Sequence, residues 1–266
     1  LLCNTWPNML KEYFLHNIIF LIKFCALKGG MLVKMKTGFK DLDKIVKIER
    51  GDLIIIASRP AMGKTTLAQN ILSNIAIKYK KKSAFFSLDE SREKIIRLFY
   101  GVNVLKDTNI FIDATAPQTL EHILKKSCEL KEKENIELIV IDYLQLIQCD
   151  KSKSLSRENE IEDILKELKL LAKKLNVSII VTSQLSRKPE ERNNKRPVIT
   201  DFTNTTSSIL NYADKILFLY RDSYYNKENK SNMTEIIVEK NKNGKIGTTK
   251  LEWMQEYGMF GKYDKI

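Results

Sequence analysis

From Gly51 onward, short apolar runs alternate with segments whose apolar residues recur at helical spacing. The runs Leu53–Ala57, Ser83–Leu88, Ile110–Asp113, Leu138–Asp142, Val177–Ser183 and Lys215–Tyr220 predict strands. Helices are predicted over Thr65–Lys80, Glu93–Tyr100, Thr119–Lys133 and Asn159–Leu175. In the last of these, Ile161, Ile164, Leu165, Leu168, Leu171, Ala172 and Leu175 draw one apolar stripe. The alternation predicts an α/β fold, a mostly parallel sheet with helices on both faces. The tail departs from it. Thr234–Glu239 and Thr248–Trp253 flank an Asn243-Gly244 turn signal, which predicts an antiparallel β-hairpin closing the sheet's edge. Lys151–Ser156 and Pro189–Pro197 are polar and read as mobile loops.

The first 34 residues stand apart from this pattern. Leu10, Phe14, Ile18, Leu21 and Cys25 fall at helical spacing and predict an amphipathic helix ending at Gly29-Gly30. Tyr13–Leu27 is interrupted by His16, Asn17 and Lys23 and is too short to span a bilayer comfortably, so no membrane partner is expected. The chain starts with Leu, which suggests a fragment or a start set upstream of Met31 or Met35. The expected division is 1–34, a linker helix or leader, and 35–266, the main domain.

Composition narrows the function. The 266 residues are 43% hydrophobic and carry a formal net charge of +12. A core is available, and the charge favours a polyanionic partner such as nucleic acid or an acidic membrane surface, or leaves lysines on solvated faces. Cys3, Cys25, Cys128 and Cys149 are scattered and the chain has two histidines, so neither a disulfide framework nor a zinc site is expected. A reducing, cytoplasmic setting fits.

The chemistry concentrates at Ser58-Arg59-Pro60-Ala61-Met62-Gly63-Lys64-Thr65-Thr66, between a strand signal and a helix signal. Gly63 lets the backbone approach phosphates, and N–H groups at the helix start point toward the anion. Lys64 can reach β- and γ-phosphates, and the Thr65 hydroxyl can ligate Mg²⁺. Ser58 stands where the usual first glycine of G-x-x-x-x-G-K-T would be. Asp142 ends an apolar strand, where a carboxylate would hold Mg²⁺ beside Thr65. Asp89 and Glu90 follow another strand, where either carboxylate could take a proton from an attacking water. A helix cap is the competing role for Asp89. Gln184, after a further strand, can sense a γ-phosphate or lie in solvent.

The stretches "TGFKDLD", "GDLIIIASRPAMGKTT", "FSLDES", "IVIDYLQLI", "LAKKLNVSIIVTSQLSR", "ERNNKRP" and "LFLYRD" follow one another in an order that resembles the replicative hexameric DNA helicases of the DnaB type. The resemblance covers Thr37 to about Asp222. It implies a RecA-like P-loop NTPase core working as a ring, with ATP and Mg²⁺ between subunits and single-stranded DNA as the track. It also implies a homo-oligomer, expected as a hexamer, with primase or a helicase loader as further partners, and a linker helix within residues 1–34. Lys64 and Thr65 then resemble the phosphate and Mg²⁺ ligands, Asp142 the Walker B acid, Asp89 the catalytic carboxylate and Gln184 the residue coupling γ-phosphate to DNA. Lys240 and Lys242 occupy the places of a lysine and an arginine that reach a neighbour's γ-phosphate. Three departures follow: aspartate for glutamate at Asp89, lysine for arginine at Lys242, and "DFTNTT" (Asp201–Thr206) in place of a DNA-contacting loop that carries an arginine. They raise the alternative of a degenerate paralogue that binds nucleotide and DNA without unwinding. A related RecA-like recombination ATPase is the third reading.

Overall fold

The computed structural model describes residues 34–100, 109–115, 118–149, 156–226 and 228–263. The amphipathic helix expected before Gly29, and residues 151–155 of the first polar loop, lie outside the described residues. Nine strands form one sheet in the order β3-β2-β4-β5-β1-β6-β7-β8-β9. They are β1 Leu53–Ser58, β2 Ser83–Ser87, β3 Ile110–Asp113, β4 Leu138–Asp142, β5 Ser178–Gln184, β6 Lys215–Tyr220, β7 Met233–Asn241, β8 Gly247–Met254 and β9 Met259–Lys262. All pairings among β1–β6 are parallel. Those from β6 through β9 are antiparallel. The expected hairpin is present as β7–β8, and β9 adds one more strand, so the outermost edge is β9 and not the hairpin.

Strand periodicity separates two cores. Leu53, Ile55 and Ala57 face one side, where they join Ile123, Ile164, Leu168 and Ile209. Ile54 and Ile56 face the other and join Leu67, Ile71, Ile75 and Ile95. Because successive side chains alternate faces, β1 must be apolar at every position to supply both cores. Each fully buried Leu or Ile contributes roughly 1.5–3 kcal/mol relative to exposure. Helices α1 (Lys64–Lys78) and α2 (Arg92–Tyr100) cover the second face; α3 (Leu120–Glu134), α4 (Arg157–Leu175) and α5 (Thr206–Tyr212) cover the first.

The helix boundaries have local causes. Ser156 caps α4 by accepting from the Asn159 N–H, and the Thr119 hydroxyl oxygen accepts from the His122 N–H at the start of α3. Asn176 and Asn135 end these two helices in the left-handed conformation, at φ 53° and 54°. The Pro189–Pro197 segment is not free, contrary to the expectation of a mobile loop. Lys188–Glu191 form a helical turn, Arg192 clasps the buried Asp201 at 2.7 and 2.9 Å, and Arg196 grips Glu235 with two bonds of 2.7 Å.

A candidate nucleotide site at the carboxyl edge of the sheet

The parallel strands place the carboxyl ends of β1, β5, β4 and β2 side by side. The register aligns Ser58 with Gln184 and Ser87 with Asp142. In open α/β sheets the crevice outside these ends is where ligands bind. The Ser58–Thr66 segment runs from β1 into α1 along this edge.

The loop's backbone is shaped for anions. Ala61 and Gly63 both take positive φ, 60° and 96°. Gly63 tolerates its value for lack of a Cβ, and an added Cβ would meet the Phe260 ring at 2.9 Å. Left-handed positions between right-handed ones turn successive N–H groups inward, the geometry that cradles phosphates. The Arg221 guanidinium donates to the Ala61 carbonyl at 2.9 Å and so fixes the turn. Arg59 does not aim its side chain into the loop. Its guanidinium binds Glu190 at 2.8 Å and the Leu185 carbonyl at 2.9 Å, so only its backbone shapes the cradle. The Ser58 hydroxyl donates to the Arg59 carbonyl at 2.8 Å, and Met62 is buried.

Thr65 and Asp142, 77 residues apart, meet directly. The Thr65 hydroxyl lies 3.0 and 2.9 Å from the two Asp142 carboxylate oxygens. Thr182 on β5 also donates to Asp142. Burial pushes the Asp142 pKa above the ordinary carboxylate range; the Thr182 hydroxyl, the Lys64 charge and the Thr65 hydroxyl pull the other way. Lys64 holds its ammonium 5.2 Å from the centre of the Tyr143 ring. Burial, with Asp89 and Asp142 adding to it, raises the Tyr143 phenol.

The two candidate bases are distinguished by their partners. Glu90 is held by Lys94, 2.6 Å away. Asp89 is exposed and forms no hydrogen bond or ion pair with any described residue, yet its charge reaches Asp142 and Tyr143. Gln184 ends β5 and is exposed. It borders a cavity of about 400 Å³ shared with Tyr143, Gln145, Arg157, Phe202 and Thr205.

Other expected residues are not assembled here. Lys240 and Lys242 belong to the end of β7 and its turn, where Lys240 pairs with Ile216 at the start of β6. Along parallel strands that is the opposite edge, one strand length from the loop, or roughly 20 Å for six residues. Lys240 donates to the Leu210 carbonyl, and Lys242 is exposed. Asp201 is buried and paired with Arg192, and Phe202 packs on Phe218. The Thr205 and Thr206 hydroxyls donate to the Phe202 and Ile199 carbonyls.

A group that sequence reasoning did not single out also borders the loop. The Trp253 and Phe260 rings lie 5.1 Å apart, the Arg221 guanidinium sits 5.5 Å from the Trp253 ring, and Phe260 reaches Gly63. Their residues come from three separate strands and turns of the tail, so no local pattern marks them.

The fold and the loop define a RecA-like ATPase domain. The family described as DnaB-like helicase C terminal domain matches residues 34–100 and 97–262, and the chain belongs to it. It is 36% identical over 261 residues to the replicative DNA helicase DnaB of Geobacillus stearothermophilus, an alignment covering 88% of this chain and 57% of that protein. Against the replicative DNA helicase DnaC of Bacillus subtilis the identity is also 36%, with 88% of this chain and 57% of that protein covered. The chain thus spans little more than half the length of these relatives. Among solved structures, a DnaB-like replicative helicase studied with primase superposes with a TM-score of 0.80 at 30% identity, covering 94% of this chain and 66% of that one. An ATPase domain solved by itself gives 0.80 at 29% identity, covering 94% and 98%. A KaiC-like protein from Pyrococcus horikoshii, at 15% identity and 0.64, covers 88% of this chain and 100% of that one, and shares the fold.

Proposed function

We propose that this chain is the ATP-hydrolysing motor of a replicative DNA helicase. The observation that carries the reading is the meeting of Thr65 and Asp142 at 2.9–3.0 Å beneath a positive-φ loop that also presents Lys64. Two hard oxygen donors side by side suit Mg²⁺, which is bound by one or two carboxylates plus substrate phosphates rather than by a full protein cage. Among the described residues no group of three or more His, Cys, Asp or Glu forms such a cage. Thr65 and Asp142 would hold the ion, which would neutralise charge on the phosphates. Lys64 and the loop N–H groups bind the β- and γ-phosphates. Asp89 accepts the proton of the attacking water, since Glu90 is already paired to Lys94. The partly exposed Trp253 ring and the Arg221 guanidinium offer a π face and a cation to the base end of the nucleotide, with the buried Phe260 ring packed behind Trp253.

The track is single-stranded DNA. The +12 charge supports a polyanionic partner, and affinity that falls steeply with salt is expected. The Asp201–Thr206 segment grips DNA phosphates only weakly, because it forms a 3₁₀ turn running into α5 that engages its backbone N–H groups, and Thr205 and Thr206 spend their hydroxyl protons internally. Lys240 and Lys242, remote from their own loop, serve the ATP of a neighbouring subunit in a ring, expected to be a hexamer. Primase or a loader is the further partner, acting in the cytoplasm. No described helix is long and apolar enough to cross a membrane.

The test is ATP hydrolysis with Mg²⁺, with and without single-stranded DNA. DNA stimulation supports the motor. Mixing Lys64→Ala with Lys242→Ala subunits should restore part of the lost rate, at interfaces where intact halves meet. Full activity in a monomer would refute the shared site.

A further inference from the structure

The side chain of Gln145 completes the sheet where its backbone pairing runs out. β4 and β5 pair from Leu138 with Ser178 to Ile141 with Val181. Beyond Val181, β5 continues for three residues to Gln184 with β1 still on its other side, Ser58 opposite Gln184. Gln145 sits in the short 3₁₀ turn Leu144–Leu146 that follows β4. Its amide nitrogen donates to the Ser183 hydroxyl at 2.9 Å and to the Gln184 carbonyl at 3.1 Å. Its amide oxygen accepts from the Gln184 N–H at 3.2 Å. The amide thus offers a donor and an acceptor together, as a neighbouring peptide would. The flipped amide would set oxygen against the carbonyl and N–H against N–H, so one orientation alone satisfies the set. The turn is itself held, because Arg157 donates to the Gln145 carbonyl at 2.9 Å and to that of Ile147 at 3.2 Å.

We propose that Gln145 is a positioning residue for ATP hydrolysis, acting through Gln184; this rests on the function proposed above. A strand tip paired on one side frays. Paired on both sides, the Gln184 backbone is fixed and its exposed side chain searches a small volume. A group used only in the transition state gains rate from such placement. Glutamine is suited to the task. Asparagine falls one methylene short, methionine matches the length without the amide, and a glutamate carboxylate lacks the donor.

The experiment pairs kinetics with hydrogen exchange on the full chain. Gln145→Met should lower kcat about 5–10-fold, the scale of one lost hydrogen bond, with KM for ATP within about twofold. In a Gln184→Ala background the same change should lower residual turnover no further, since neighbours acting as a unit are non-additive. Exchange of the Gln184 amide should speed up several-fold in Gln145→Met, with the Ile180 amide unchanged. An unchanged kcat, an equal loss in both backgrounds, or unchanged exchange at Gln184 would each overturn the assignment. If Gln145→Met unfolds at the assay temperature, Gln145→Glu decides. Its rate relative to the parent should climb as pH falls toward the carboxylate range, because the protonated acid regains a donor; a flat ratio counts against the role. A parent chain without Lys64-dependent hydrolysis would strike down the proposed function, and the positioning role with it, while the exchange result would still report on the clamp itself.

Discussion

The two edges of the parallel sheet both bury charge, and they treat it differently. At the amino edge each buried charge meets an opposite one. Lys215, 1% exposed, lies 2.5 Å from Asp52. Lys169 pairs with Asp214, which also accepts from the Leu53 N–H at 2.8 Å. Arg50 and Lys81 flank Glu137 at 2.6 and 2.8 Å. Burial raises the Glu137 pKa, and the two cations outweigh it to hold the group below the ordinary range. At the carboxyl edge the buried Asp142 has hydroxyls as its hydrogen-bond donors; burial leaves its pKa raised, as it also does for Asp52 despite Lys215, so the edges differ in the partner, a cation there and hydroxyls here. Asp89 has no described partner, and Lys64 rests over a ring. Charge that is already paired holds the fold together. Charge left with weak partners is prepared for a cation and an anion that come with the substrate.

This contrast sets what each edge should lose on mutation. The largest effect is expected at the carboxyl edge. Asp89→Ala should lower kcat by about 10²–10⁴, the range of a general base, with ATP affinity nearly unchanged. Glu90→Ala should cost much less, and an equal loss would move the base to Glu90. At the amino edge, Lys215→Met should destabilise the fold by about 3–5 kcal/mol in denaturant unfolding, because it strands Asp52 as an uncompensated buried charge. A near-neutral result would erase the distinction between the edges.

A third test uses pH. The folded-state pKa of Asp142 is raised, so its contribution to stability is greatest when the group is protonated in both states. That contribution falls as pH rises from the unfolded pKa through the folded one and stays lost above it. Without nucleotide or Mg²⁺, Asp142→Asn should remove this slope, and its melting temperature relative to the parent should rise across that window. A constant difference would show that Asp142 is not strained by burial. The smallest effect concerns the loop. Ala61 carries positive φ without being glycine, a state that costs of order 1–3 kcal/mol. Ala61→Gly should stabilise the free chain by up to about 1 kcal/mol once the extra freedom of glycine in the unfolded chain is counted. A clear loss of stability would mean that the Ala61 methyl has a packing role.

Much of this was legible in sequence because the signals are local. Strands apolar at every position announced a sheet covered on both faces, and Gly63-Lys64-Thr65 between strand and helix announced the loop. Asp142 was found because it ends such a strand. What escaped was long-range. Arg192 and Arg196 tether a segment that looks loose by composition, through Asp201 and Glu235. Arg221, Trp253 and Phe260 gather at the loop only because β6, β8 and β9 are neighbours or near neighbours in the same sheet. β9 itself is four residues long, contains Gly261, and sends one buried side chain, Phe260, to the core. Gln145 reads as one polar residue within "DYLQLI"; its work depends on where β4 stops and β5 continues.

The central claim is that the carboxyl edge binds and splits ATP. Its most direct measurement compares Mg²⁺-dependent ATP turnover of the chain with that of Lys64→Ala, with both proteins shown by thermal unfolding to be folded at the assay temperature. Loss of the ammonium from the phosphates should reduce turnover by about 10²–10³-fold or more with little change in stability. Equal turnover by the two folded proteins would contradict the account.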